Sequence, residues 1–168
     1  MDINHKLVFK DFTGEVTEEI EQIILNWLEE GSSEIESEAI KRTGTGAYFR
    51  NIAEKWTHTI DKDKHKAVIG NPLENALWVE FGTGEYALKG DGRKGYWVFV
   101  KGSDGKSSKS TKQYTLQEAK RTVAFMRSKG LDAMYTKGTP PKRPLHHSFN
   151  TNEGLLKDLL KDRLGSLN

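Results

Sequence analysis

The sequence predicts an α+β fold: a long N-terminal helix and a C-terminal helix packed on an antiparallel sheet, with an inserted strand–loop–helix–strand unit. Three observations carry that expectation. Val16, Ile20, Ile23, Ile24, Trp27 and Leu28 recur at three- and four-residue spacing, and Ile35 and Ala39 continue the stripe. Tyr96-Trp97-Val98-Phe99-Val100 is a dense β-forming run. Leu145, Phe149, Leu156, Leu159, Leu160 and Leu164 make a second helical stripe, opened by Pro144.

Residues 1–12 read as extended, with Leu7, Val8 and Phe9 as an apolar cluster. The first helix is expected from about Glu15 to about Arg42. Glu15, Glu18, Glu19 and Glu21 crowd its start and Lys41 and Arg42 close it, as the helix dipole favours. Gly31-Ser32-Ser33 is the expected kink or break. Thr43-Gly44-Thr45-Gly46 reads as a flexible stop. Tyr48, Ile52, Trp56 and Ile60 mark a segment that becomes a strand near Lys55, Asp61–Lys64 a turn, and His65–Gly70 the return strand.

Asn71-Pro72-Leu73-Glu74 then spells a helix start, with Asn71 as the cap, Pro72 at the first position and Glu74 closing a capping box. Leu77, Trp78 and Phe81 are expected on one face of that helix, and Gly82 stops it. Residues 85–139 form a separate unit: the strand at Tyr96–Val100, a polar Lys/Ser/Gly loop from Lys101 to Lys112, a helix capped by Thr115 and Glu118, a stop at Gly130, and a short strand at Leu131–Thr136. In that helix Leu116, Ala119, Val123 and Met126 are the inward positions. The expected division is therefore 1–84 with 140–168 as the core domain, and 85–139 as the insertion.

Length and composition bound the function. The chain has 168 residues, 35% hydrophobic and 30% charged, enough for one domain plus an embellishment. No apolar run is long enough for a membrane span, and no apolar leader opens the chain, so neither a membrane nor a secretory destination is expected. With no cysteine, disulfides, thiolate metal sites and cysteine nucleophiles are excluded. The net charge is +2, but residues 1–84 hold sixteen acidic and nine basic residues, whereas 85–143 hold fourteen basic and five acidic. Three readings are open: solvated surface, a bipolar subunit whose acidic part meets a neighbour's basic part, or nucleic acid against the basic segment.

Little points to catalysis. Gly82-Thr83-Gly84 lacks the glycine–lysine–serine/threonine of a phosphate-binding loop. His5, His58, His65, His146 and His147 form no metal-binding pair on one helical face. Ser148 follows His147 without a nucleophile elbow, and nothing selects a carboxylate pair. No catalytic, cofactor or metal residue is expected. Lys101, Lys106, Lys109, Lys112, Lys120, Arg121 and Arg127 lie near Tyr96, Trp97 and Phe99 in the sequence, a combination that can hold phosphates and stack bases, or simply solubilise a loop beside sheet aromatics.

Three stretches carry a resemblance. Thr45-Gly46-Ala47-Tyr48-Phe49-Arg50-Asn51 is similar to a threonine–glycine–x–leucine–arginine lead-in to a sheet. Ala76-Leu77-Trp78-Val79-Glu80-Phe81-Gly82-Thr83 resembles a tyrosine–alanine–x–x–valine–glutamate–phenylalanine–glycine–threonine hallmark. Pro141-Lys142-Arg143-Pro144-Leu145 resembles a proline–phenylalanine opening of a last helix. Together they resemble the tail-completion, or head–tail joining, proteins of long-tailed bacteriophages and prophages. That resemblance covers about 1–84 and 140–168. Leu77 and Trp78 stand where the family has smaller or tyrosine residues, Leu145 replaces the phenylalanine, and 85–139 exceeds the family's usual link.

The resemblance implies a non-enzymatic neck protein of the virion, assembled in the host cytoplasm. It would form a ring, a hexamer, at the head-proximal end of the tail. Its partners would be copies of itself, head connector or stopper proteins, and the tail terminator or tube protein, with genomic DNA passing through the channel. Trp78, Glu80, Phe81, Gly82, Thr83, Arg143 and Pro144 are the expected interface residues, with Arg143 as the candidate partner of Glu80. Trp78 and Phe81 could equally be core residues under the sheet. The alternative function is a nucleic-acid-binding module centred on 85–139.

Overall fold

The computed structural model describes residues 18–102 and 111–165, and the backbone of 107–109. The extended reading of 1–12, the first turn expected at 15–17 and Lys106 lie outside them. The chain divides into two compact units: residues 1–80 with 142–168, and residues 81–141.

In the first unit the order is α1 (Glu18–Thr43), α2 (Ala47–Ala53), β1 (Thr57–Asp61), β2 (Lys66–Gly70), α3 (Glu74–Phe81, its last residue already in the second unit) and α5 (Pro144–Gly165). The periodic stripe of α1 does what its spacing demands. Trp27, Leu28, Ile35 and Ala39 are buried against Leu145 and Leu156 of α5 and against Trp56, Ala67 and Ile69 around the hairpin. Each such large apolar side chain contributes about 1.5–3 kcal/mol on burial. Trp27 also satisfies its indole by donating to the Leu156 carbonyl at 2.7 Å.

α1 does not break at Gly31-Ser32-Ser33. Gly31 is buried there, and a Cβ on it would meet Leu156 Cδ2 at 2.9 Å. The small residues let α5 approach, and the packing gained outweighs the propensity lost. The end of α1 is likewise fixed rather than flexible. Thr43 is buried, donates to the Ala39 carbonyl at 2.7 Å and accepts from Trp56 Nε1 at 2.8 Å. Lys142 Nζ donates to the Thr43 carbonyl at 3.0 Å, a cation at the negative end of the helix, and sits 3.6 Å from the centre of the Phe49 ring.

β1 and β2 form an antiparallel hairpin in register Thr57↔Gly70 to Asp61↔Lys66. Its turn is held by Asp61, which accepts from the Lys64 backbone and ammonium, with His65 at φ 45°. α3 starts later than its sequence cue. Asn71 Oδ1 accepts from Leu73 N, and its amide donates to the Ile52 carbonyl at 2.7 Å, so Asn71 makes a local turn and ties α2 down instead of capping. Glu74, the expected capping-box partner, is the first helical residue. Leu77, Trp78 and Phe81 share one face of α3, as their spacing requires, but the inward face is Ala76, Val79 and Glu80, because Ala76 and Val79 close on Ile52 and Phe49.

The second unit holds β3 (Trp97–Lys101), β4 (Ser107–Lys109), α4 (Leu116–Ser128) and β5 (Ala133–Thr136). Its sheet has three strands in the order β4-β3-β5, all antiparallel. The segment expected as a loop thus supplies a strand, whose Ser-Ser-Lys sequence carries no apolar alternation to reveal it. α4 begins with the capping box: the Thr115 hydroxyl accepts from Glu118 N, and the Glu118 carboxylate accepts from Thr115 N. Ala119 and Val123 pack on Val98 and Ala133, with Met126 alongside. Leu116, on the same side but at the first position of the helix, is exposed.

Candidate functional site

Among the expected site residues Glu80 is the best defined. It is 1% exposed, on the inward face of α3. Its carboxylate accepts from Leu145 N at 3.0 Å and His146 N at 3.1 Å, two free N–H groups in the first turn of α5. A carboxylate from a residue 65 positions away thereby caps the C-terminal helix. The neighbouring Val79 carbonyl accepts from Lys142 N at 2.8 Å and Arg143 N at 3.3 Å. Pro144 is buried at the first helical position, where its missing N–H leaves nothing unpaired.

This arrangement corrects the expected Glu80–Arg143 pair. Both Glu80 oxygens are taken by backbone N–H groups, and no ion pair joins the two side chains. Arg143 instead turns the chain into α5 at φ 52°, with its Nε buried and without a hydrogen-bond partner. The turn through a left-handed residue places both its own N–H and that of Lys142 on Val79, which leaves the guanidinium out of Glu80's reach.

Trp78 lies on the opposite side of α3 from Ala76, Val79 and Glu80 and is 40% exposed. It is therefore not a core residue. Phe81 is half-buried, with Lys89 Nζ 5.3 Å from the centre of its ring. Gly82 adopts φ 73°, and a Cβ there would meet the Tyr86 carbonyl oxygen at 2.8 Å and Pro141 Cδ at 2.9 Å. Thr83 zips to the segment just before Pro141: its N donates to the Thr139 carbonyl at 2.9 Å and its hydroxyl accepts from Thr139 N at 3.0 Å. Glu85 N continues the zipper to the Lys137 carbonyl at 2.9 Å. Within each unit, then, residues in or next to the Ala76–Thr83 and Pro141–Leu145 stretches lie side by side: 79–80 with 142–146 in the first, 82–85 with 137–141 in the second.

The basic residues are less unified. Lys101 is exposed at the end of β3, and Lys109 stands opposite Phe99 in the register. Lys112 is exposed beside the Tyr114 ring. Lys120 and Arg121 are exposed on α4. Arg127 is committed, its Nε donating to the Ala133 carbonyl at 2.9 Å.

One cluster had no signal in the sequence. His58 of β1 presents Nδ1 to Glu36 at 2.5 Å and Nε2 to Glu29 at 3.3 Å, both on α1. Only the imidazolium can donate from both nitrogens. Burial alone would push the imidazole down. The hydrogen bonds to Glu36 and then Glu29, with their charges, outweigh it and hold it above its ordinary value. The spacing of Glu29 and Glu36 places them on one face, but only the hairpin's position on α1 could name the histidine. Among the described residues no group of three His, Asp or Glu side chains is placed to hold a metal ion, and no helix is long and apolar enough to cross a membrane.

No curated protein and no solved structure matches the chain. Residues 8–82 match the family model HK97-gp10-like, described as "Bacteriophage HK97-gp10, putative tail-component". The matched stretch contains α1, α2, the hairpin and α3, ending at Gly82. Over that stretch the chain is similar to the HK97-gp10-like family of bacteriophage tail components, a similarity that supports a structural role in a phage tail and contacts with other virion proteins.

Proposed function

We propose that this protein is a tail-completion subunit that forms a ring, a hexamer, at the head-proximal end of the tail and joins the tail to the head connector. The ring would meet the connector or stopper on one side and the tail terminator or tube on the other, with genomic DNA threading its channel. The observation that carries this reading is the buried Glu80 clamp. It fixes α3 to the start of α5 and leaves Trp78 outward on the same rigid helix. An exposed tryptophan on a pinned element is the residue type that anchors protein interfaces. The proposal requires no reaction: function resides in surfaces that complement each other during assembly. Residues 85–139 are read as an insertion in this subunit, testable by replacing 86–138 with a short Gly-Ser bridge and asking whether the remainder still folds.

The test is electron microscopy of particles carrying the labelled protein, together with Trp78→Ala. The label is expected at the head–tail junction, and the variant to give soluble protein but unjoined heads and tails. A label elsewhere, or normal virions from the variant, refutes the reading. A nucleic-acid-binding module is the second reading. It is favoured by the charge of residues 81–141, which hold twelve basic and five acidic residues. Mobility of duplex DNA that does not shift at low salt dismisses it.

A further inference from the structure

Resting on the ring reading above, we infer that the outer face of α4 docks on the acidic outer face of α1 in a second copy of this chain. At about 100° per residue, Arg121, Ala124, Phe125 and Ser128 share the side of α4 turned away from the buried Ala119 and Val123, with Lys120 at its edge. All five are exposed, Phe125 to 63%, with Lys129 Nζ 5.7 Å from the centre of its ring. Lys120 and Arg121 form no ion pair with any described carboxylate. Ala124 and Ser128 are small beside Phe125, so another helix can pack against the ring there.

The occupant is argued from charge. Residues 81–141 carry a balance of +7, and residues 1–80 with 142–168 a balance of −5. Between Glu18 and Ile40, α1 holds eight glutamates and no Lys or Arg. Its exposed side opposite Leu28 and Ile35 reads Asn26, Glu29, Glu30, Ser33 and Glu34; Glu29 and Glu30 already pair with His58 and Arg163, whereas Glu34 forms no ion pair with any described cation. Every copy therefore carries both halves of a complementary pair, a heterologous contact of the kind that closes rings. Nucleic acid is the poorer occupant, because the centre of this face is Ala124 and Phe125 and the next cation along the helix, Arg127, is tied to a backbone carbonyl.

The experiment is a charge swap read by sedimentation velocity. Wild-type protein should self-associate at low salt and dissociate as salt rises. K120E/R121E and S33K/E34K, which change only exposed residues, should each remain monomeric, and their equimolar mixture should associate again. Should either swap variant fail to fold, Phe125→Ser removes the apolar centre without a charge change and should weaken association about tenfold or more. Wild type that stays monomeric at low salt, or association that K120E/R121E leaves intact, overturns the inference. So does a single-stranded oligonucleotide shift lost in K120E/R121E without any self-association, which assigns the face to nucleic acid. Particle labelling separates this from the tail reading: a labelled junction without this self-association sinks only the inference, and self-association without a virion label sinks only the tail role.

Discussion

Replacing Glu80 with alanine tests the clamp directly. The wild-type carboxylate makes two charge-assisted hydrogen bonds to Leu145 N and His146 N in a buried setting. Bonds to a charged group contribute about 1.5–3 kcal/mol each, and a buried N–H left unpaired costs about 1–3 kcal/mol. The favourable placement at a helix N-terminus adds about 0.3–1 kcal/mol. These terms overlap, and water can reach the half-buried His146 end, so the expected loss is about 3–5 kcal/mol rather than their sum. For a unit of this size, each kcal/mol moves the midpoint by about 4–8 °C. Glu80→Gln keeps one acceptor and the side-chain volume, and should lose about 1–2 kcal/mol. Thermal and urea unfolding at 222 nm give the size of the effect. Amide hydrogen exchange over 142–150 gives its location, with Leu145 and His146 exchanging fastest relative to wild type. An alanine variant within about 1 kcal/mol of wild type, or one whose exchange rises elsewhere but not at the start of α5, would refute the clamp.

Three further outcomes follow from the same geometry. Gly84→Ala should destabilise residues 81–141 by about 3 kcal/mol or more, because a Cβ at φ 60° would lie 2.2 Å from the Lys137 carbonyl oxygen; limited proteolysis of that unit is the check. His58 should make stability pH-dependent: its folded-state value is raised, so its contribution is complete below the ordinary imidazole value and disappears as pH rises through the raised one. A denaturation series across that window should show wild type losing an advantage that His58→Gln never has, and parallel curves would contradict the imidazolium bridge. Thr115→Ala should cost about 1 kcal/mol through the lost capping box, read as faster exchange at the start of α4.

What the sequence made legible was whatever depends on neighbours in the chain. The stripe of α1, the Thr115–Glu118 box and Pro144 at the head of α5 are local chemistry, and the structure realises them. What it hid depends on distant partners. Gly31 looked like a weak point because only Leu156, far downstream, makes its smallness useful. Asn71 looked like a cap because the Ile52 carbonyl, to which its amide donates while its oxygen accepts from Leu73 N, is not a sequence neighbour. Glu80 stood out as part of a hallmark, yet charge suggested Arg143 as its partner, whereas backbone N–H groups, which no sequence displays, took the site. Trp78 and Phe81 were open between core and surface until Ala76 and Val79 proved to be the face that fits against Ile52.

The packing of α1 on α5 also bears on how the chain is made. The seam that α1 offers through Trp27, Leu28 and Ile35 closes on the hairpin side against Trp56, Ala67 and Ile69, and is completed only by Leu145 and Leu156. A ribosome must therefore add more than a hundred residues, the whole of 81–141 among them, before the first helix finds its mate. During that interval the greasy flank of α1 is a hazard to be shielded, by chaperones or by rapid elongation. A chain stopped before Pro144 would lack Leu145 and Leu156 and leave their share of that flank uncovered.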